Sequence, residues 1–239
     1  MPKNTTNPGV FPQAFNEESS VQQMDLGSKM RFADGREFVY VKAGATALVP
    51  GKLQQGAAVV ANHQNIAVAS AASVGDKTIT VTLGATAATA NQYAGGTIVI
   101  NDVDGQGNIY TIKSHPAADA SASLVLTLDG NDAVRVALTT SSQACLFPNL
   151  YNGVIVNPTT PTNRPVGVAV KAITASYYGW IQTKGVSTCL NDGGTAVGLG
   201  LAPSQAVAGA MKTMAATLHQ VGSALQAGVD TEYPTVYLS

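Results

Sequence analysis

Residues 78–83 read TITVTL, with threonine and a branched apolar residue alternating at every position. Successive side chains of a β-strand point to opposite faces of a sheet, which places Ile79, Val81 and Leu83 together on one face. Strict alternation of this kind is typical of a strand with one buried side and one side facing solvent. The turn sequence VGDK at residues 74–77 directly precedes the stretch and indicates where the strand begins.

Four more segments in the same part of the chain have a similar pattern. They are 97–100 (TIVI), 109–113 (IYTIK), 123–128 (SLVLTL) and 133–138 (AVRVAL). Turn residues separate them, such as the pair GG at 95–96 and the pair DG at 129–130. Short strands at even spacing, with turn residues between them, predict an all-β fold of the sandwich or barrel type.

The rest of the chain also indicates strands. The pair DG at 34–35 lies between two strand-like runs and predicts a hairpin. The proline-rich segment 158–165 is expected to be a stiff connection, because proline cannot donate to a sheet ladder. Residues 204–225 have helix-favouring composition, but Gly209 and Gly222 oppose a long helix, so we expect strands with one helical turn at most. Further strands are predicted at 57–61, 153–156, 166–172, 177–183, 195–199 and 235–238.

Changes in composition divide the chain into three parts. Residues 1–25 are rich in proline, asparagine and glutamine and are expected to form an extended N-terminal arm. Residues 26–65 plus 146–239 are assigned to a main β domain, and residues 66–145 to an inserted β domain. One continuous sandwich is the alternative. The tetrapeptide GATA occurs at 44–47 and at 84–87, and we interpret this match as composition rather than as a repeat.

The composition is poor in charge. Charged residues make up 11% of the chain, compared with about 25% in typical domains, and the formal net charge is −1. Basic residues form no run or stripe, which argues against nucleic-acid binding. A surface of small neutral residues favours contact with other subunits, because such contact desolvates few ions. The alternative is a surface kept in solution by threonine, asparagine and glutamine alone.

Templates for catalysis are incomplete throughout the sequence. His63, His115 and His219 are isolated in sequence and match no metal-binding spacing. There is no Gly-x-Ser-x-Gly elbow, and no Gly-Lys-Ser/Thr of a phosphate-binding loop occurs. We therefore expect no enzyme activity, no catalytic residue and no cofactor. A nucleophile and a base brought together only by the fold would be the exception.

One turn and two cysteines are the remaining candidate sites. Asp102–Asn108 alternates oxygen-bearing residues with glycine, as calcium loops do, but Lys113 stands where the bidentate glutamate would be. We interpret the segment as a plain turn without a metal. Cys145 and Cys189 lack metal-type spacing and are expected to be small buried residues rather than a disulfide.

Several stretches resemble a family of structural proteins of tailed-phage particles. They are 26–29 (LGSK), 34–44 (DGREFVYVKAG), 80–94, 146–158, 177–185 (YYGWIQTKG), 202–204 (APS) and 207–210 (VAGA). Together they span most of residues 26–239. The family is similar to head decoration, or cement, proteins, which form β-barrel or β-tulip trimers on the capsid lattice.

In 177–185, alternation places Tyr178, Trp180 and Gln182 on one face of the predicted strand, and we expect Trp180 in the core.

The resemblance implies a function that the residues alone do not give. It implies a capsid decoration protein that binds the major capsid protein as a homotrimer and stabilises the head. The location would be the capsid surface of a virion, after synthesis in the host bacterial cytoplasm. The alternatives are a head-fibre, tail or host-surface adhesion module, and then a particle-bound hydrolase. A major capsid protein fits less well, because no long helical period is present.

Two further expectations concern membranes. No run of 18 apolar residues is free of polar interruptions, which argues against a membrane span and a membrane partner. Residues 1–7 contain no hydrophobic core of a secretory signal.

Overall fold

The structure is a computed structural model that describes residues 6–8, 16–215 and 218–239. The all-β prediction is confirmed: the described residues form strands and a short 3-10 turn at Ala61–His63, and none of them lies in an α-helix. In chain order the strands are β1 Thr6–Pro8, β2 Lys29–Arg31, β3 Glu37–Ala43, β4 Leu53–Gln55, β5 Ile66–Ala67, β6 Thr78–Thr82, β7 Thr97–Asp102, β8 Ile109–Ser114, β9 Ser123–Leu128, β10 Gln143–Phe147, β11 Asn152–Val156, β12 Pro165–Ala169, β13 Tyr178–Thr188, β14 Gly200–Pro203, β15 Met211–Thr213, β16 Gly222–Ala224 and β17 Thr235–Leu238.

The chain forms two compact units. Unit 1 comprises Met1–Ala58 and Leu150–Ser239, and unit 2 comprises Val59–Asn149. The boundaries we assigned from composition were 65/66 and 145/146, and those of the units are 58/59 and 149/150.

Unit 2 is a closed six-stranded barrel. Its strands follow the order β5-β10-β7-β8-β9-β6, and every pair is antiparallel. A bridge between Val68, which directly follows β5, and Val81 of β6 closes the ring. Closure leaves no open sheet edge along the ring of described strands. The interior is filled by alternate strand residues, and the largest fully buried ones are Ile79, Ile98, Ile100, Tyr110, Ile112, Leu124, Leu126 and Leu128.

Unit 1 contains two rings of strands that share β13. The first ring is β3-β11-β4-β12-β13, closed because β13 pairs with both β12 and β3. The second follows β13-β17-β16-β14-β15, and a bridge between Asn191 and Met211 returns it to the chain just after β13. At 11 residues β13 is long enough to serve both rings.

The two faces of β3 and β13 carry separate apolar clusters. Val39, Val41 and Ile181 point into the first ring. Trp180 packs on the other face with Phe38, Tyr40 and Met30, and it is 6% exposed. The expectation of a core position for Trp180 is therefore confirmed. The hairpin predicted at Asp34-Gly35 is also confirmed, since β2 and β3 pair antiparallel on either side of it.

Three predicted strands are wrong. The segments 57–61, 133–138 and 195–199 contain no strand, although Leu138 and Thr195 each form a single bridge. Strands β1, β4, β5, β10 and β14 were not predicted. Residues 204–225 contain β15 and β16 and, where described, no helix.

A recurring four-residue turn, which we call a corner, explains two of those errors. Each corner begins at a residue that forms one isolated antiparallel bridge, and the corners pair as 48–51 with 173–176, 72–75 with 138–141, 88–91 with 118–121, and 195–198 with 228–231. The paired backbones exchange two hydrogen bonds; for Ala88 and Ala118 both are 2.9 Å. The fourth residue has positive φ in every corner except 138–141. Each unit therefore contains two pairs of the same corner.

The repeated tetrapeptide GATA marks this corner. Residues 44–47 directly precede the bridge residue Leu48, and residues 84–87 directly precede Ala88. Interpreting the match as composition was therefore wrong. A corner needs only one bridge residue, small neighbours and one residue that tolerates positive φ, so its sequence signal is short.

The turn after β7 predicts a stabilising substitution. Val103 has φ of 62°, a left-handed backbone conformation that is unfavourable for a β-branched residue. Its side chain is 44% exposed, so little apolar burial compensates for this cost. Asparagine adopts this conformation at lower cost. We expect Val103→Asn to raise the free energy of unfolding by about 1 kcal/mol in urea denaturation. Val125→Asn, at an exposed valine within β9, is the control and should lower it.

Candidate functional site

The outward face of the second ring in unit 1 forms an uncharged patch. Val186 of β13 lies opposite Tyr237 of β17, and Tyr237 lies opposite Ser223 of β16. Gly200 of β14 continues the same row beside Ser223. Thr188 and Thr235 form the neighbouring row. We call these six residues the outer patch; none of them carries a charge.

Alternation along the strands produces the outer patch. In β17, Val236 and Leu238 are buried, whereas Tyr237 between them is 38% exposed. In β13, Gly185 and Ser187 are buried, whereas Val186 is 50% exposed. The period of two thus presents a valine and a tyrosine side by side in solvent, above a packed interior. Exposed apolar side chains grouped on one sheet face are typical of contact surfaces.

The described end of the arm is held on unit 1. Ser19 pairs with Tyr178 through two backbone hydrogen bonds of 3.0 and 2.9 Å. The Glu18 carboxylate accepts hydrogen bonds from the backbone N–H and the hydroxyl of Thr174, and Lys171 donates to the carbonyl of Asn16. The rest of the predicted arm, apart from β1, lies outside the described residues.

Two of the three histidines meet in unit 2, which their separation in sequence did not indicate. His63, at the end of the 3-10 turn, and His115, directly after β8, lie on either side of Tyr93. Their ring centroids are 5.6 and 5.7 Å from that of Tyr93. All three side chains are buried. We call them the His–Tyr–His cluster.

Hydrogen bonds define the proton positions in the His–Tyr–His cluster. The Nε2 of His63 lies 2.8 Å from the carbonyl oxygen of Thr86, so it carries the proton, and Nδ1 accepts from the Tyr93 hydroxyl. The Nε2 of His115 accepts from the Tyr93 backbone N–H at 2.9 Å, and its Nδ1 donates to the carbonyl of Pro116. An Nε2 that accepts a hydrogen bond requires the neutral form of the His115 ring.

Burial shifts the pKa values of Tyr93 and His115. It raises the pKa of Tyr93 to about 12, which keeps the phenol protonated as a donor at neutral pH. Burial also lowers the pKa of His115. The hydrogen bond to the carbonyl of Pro116 raises this pKa in part, and the nearby His63 lowers it further. The cluster bonds to itself, to backbone atoms and to the side-chain amide of Gln92, which donates to the Tyr93 hydroxyl at 3.4 Å. His219 is exposed and lies in unit 1.

The turn at Asp102–Asn108 uses its oxygen atoms within the protein. Asp102 accepts from the backbone N–H of Val103, and Asp104 accepts from the hydroxyl of Thr139 at 2.8 Å. The side-chain amide of Asn108 donates to Gly105. In the described parts of the chain no three histidine, cysteine or acidic side chains group as metal ligands.

Both cysteines are buried free thiols. Cys145 belongs to β10 of unit 2, and Cys189 follows β13 in unit 1. Desolvation raises the pKa of Cys189 to about 12, so this thiol is protonated at neutral pH and is a poor nucleophile.

Comparisons with known proteins gave no match among protein families, curated proteins or solved structures. Within residues 16–215 and 218–239, no helix is long and apolar enough to cross a membrane.

Proposed function

We propose that this chain is a non-catalytic structural protein of a phage particle, a decoration protein that binds the major capsid protein lattice as a homo-oligomer. The outer patch carries the proposal. It combines exposed Val186 and Tyr237 with uncharged neighbours on the adjacent strands, so a partner surface that covers these six residues desolvates no ion among them. The exposed Lys184, two residues before Val186, lies on the same face at the margin of the outer patch. The virion location and the trimer rest on the family resemblance.

The mechanism is reinforcement by burial. A contact over part of one sheet face is weak by itself, since only the apolar fraction contributes, at about 25 cal/mol per Å². Lattice symmetry repeats the contact, and linked binding events strengthen one another through high effective concentration. Closed rings suit this role because they leave few open strand edges that could pair nonspecifically.

Charge placed in the outer patch tests the proposal. We expect Val186→Glu to abolish self-association in sedimentation velocity and to remove binding to purified capsids, because the new carboxylate would be desolvated in the contact. Val125→Glu is the matched control: it changes an exposed strand valine of unit 2 and should keep both. Circular dichroism of each variant verifies folding.

Copy number separates decoration from the alternatives. A decoration protein should be present in hundreds of copies per particle when the particle is imaged, whereas a tail, head-fibre or adhesion module should be present in few. A Val186→Glu chain that still assembles and binds capsids normally would refute the role of the outer patch.

A further inference from the structure

A cavity of about 340 Å³ in unit 1 collects basic side chains. Lys29 of β2, Arg164 directly before β12, and His219 all line it. The three come from distant parts of the sequence, and only the fold brings them together. No aspartate or glutamate is among the described lining residues. In a chain with 11% charged residues, this is an unusual concentration of one sign.

Two of these basic groups belong to no ion pair among the described residues. They are Lys29 and Arg164, in contrast to Arg31, Arg36 and Arg135. Lys29 and Arg164 are both exposed, so their charged groups can reach a ligand that enters from solvent. Buried apolar side chains, Val39 and Leu238 among them, also line the cavity. A negatively charged ligand would gain charge-assisted hydrogen bonds from Lys29 and Arg164.

We propose that this cavity is a binding site for a small oxyanion, a carboxylate or phosphate group carried by a small molecule. The guanidinium of Arg164 presents a planar fork that matches two oxygens of such a group, and Lys29 adds a point charge. The volume lies at the lower end of the range for small-molecule sites. This site is separate from the outer patch and does not depend on the proposed assembly role.

Titration with inorganic phosphate and with acetate, followed by the amide NMR signals of the full chain, tests the site. We expect saturable shifts at Gly167, Thr183 and Val221, which line the cavity. Phosphate should bind more tightly than acetate, because it carries more negative charge at neutral pH.

Two variants and one control decide the outcome. Arg164→Gln and Lys29→Gln should each weaken phosphate binding about tenfold, because each removes a charge-assisted hydrogen bond. Lys113→Gln removes an exposed lysine of β8 in unit 2 and should leave the affinity unchanged. Shifts that do not saturate, or an Arg164→Gln variant with wild-type affinity, would overturn the proposal. Because these side chains are exposed, the substitutions should leave folding intact.

Discussion

Gly96→Ala should be among the most destabilising single substitutions in unit 2. A Cβ atom at residue 96 would lie 2.2 Å from the carbonyl oxygen of Phe147 and 2.9 Å from the backbone nitrogen of Asn149. Both obstacles are backbone atoms, so no side chain can rotate away. Relief requires β7 and β10 to separate where they begin to pair, which breaks the ladder between them. We expect a loss of about 3 kcal/mol, the upper end for overpacking.

Hydrogen exchange can assign this loss of stability to unit 2, because it reports on each unit of the chain separately. Peptides from β7 and β10 should exchange faster in Gly96→Ala, because they open with the barrel, whereas peptides from β3 and β13 in unit 1 should not. Gly130→Ala is the matched control. Residue 130 lies in a turn of the same unit, and no heavy atom of the described residues comes within 4 Å of the place that its Cβ atom would take. Alanine should therefore be neutral or slightly stabilising there. Equal exchange in the two variants would contradict the steric argument.

Alternation made much of the sheet structure predictable. In β6 and β9 the apolar residues that alternate in sequence are those buried in the barrel, Ile79 and Leu124 among them. The signal is strong there because one face of each strand is buried and the other faces solvent, so apolar and polar residues alternate with the side-chain period of two. In 133–138 the same pattern was misleading. Val134 and Leu138 are buried, but their backbone bonds to the corner at 72–75 and to Asp76 directly after it rather than to a ladder.

The sequence did not predict which distant strands would pair. The outer patch exists because β13 and β17 are neighbours, which brings Val186 beside Tyr237 across some fifty residues of chain. Low charge favoured a contact surface, but it did not indicate where such a surface would lie. The His–Tyr–His cluster also depends on long-range pairing, because the fold of unit 2 brings His63 and His115 to Tyr93. Local patterns predict the faces of strands, whereas sites depend on which strands become neighbours.

The stability of unit 2 should fall as the pH decreases below about 6.5. Burial, assisted by His63, places the pKa of His115 in the folded protein below the ordinary value of 6.5 that applies to the unfolded chain. Between the two values the unfolded chain binds more protons than the folded one, so acid favours unfolding. The contribution is fully present above pH 6.5 and is lost as the pH falls toward and through the folded pKa. The measurement is urea denaturation at several values from pH 8 to pH 5.

The hydrogen bonds explain why a protonated His115 cannot stay in place. Its Nε2 faces the backbone N–H of Tyr93, and a proton there would set two donors against each other. The backbone N–H of Asn91 donates to the carbonyl of His115, so the residue also helps to hold the corner at 88–91. His115→Gln keeps an acceptor for Tyr93 but does not titrate. This variant should lose less stability between pH 7 and pH 5 than the wild type, and an identical slope would show that another group controls the acid response.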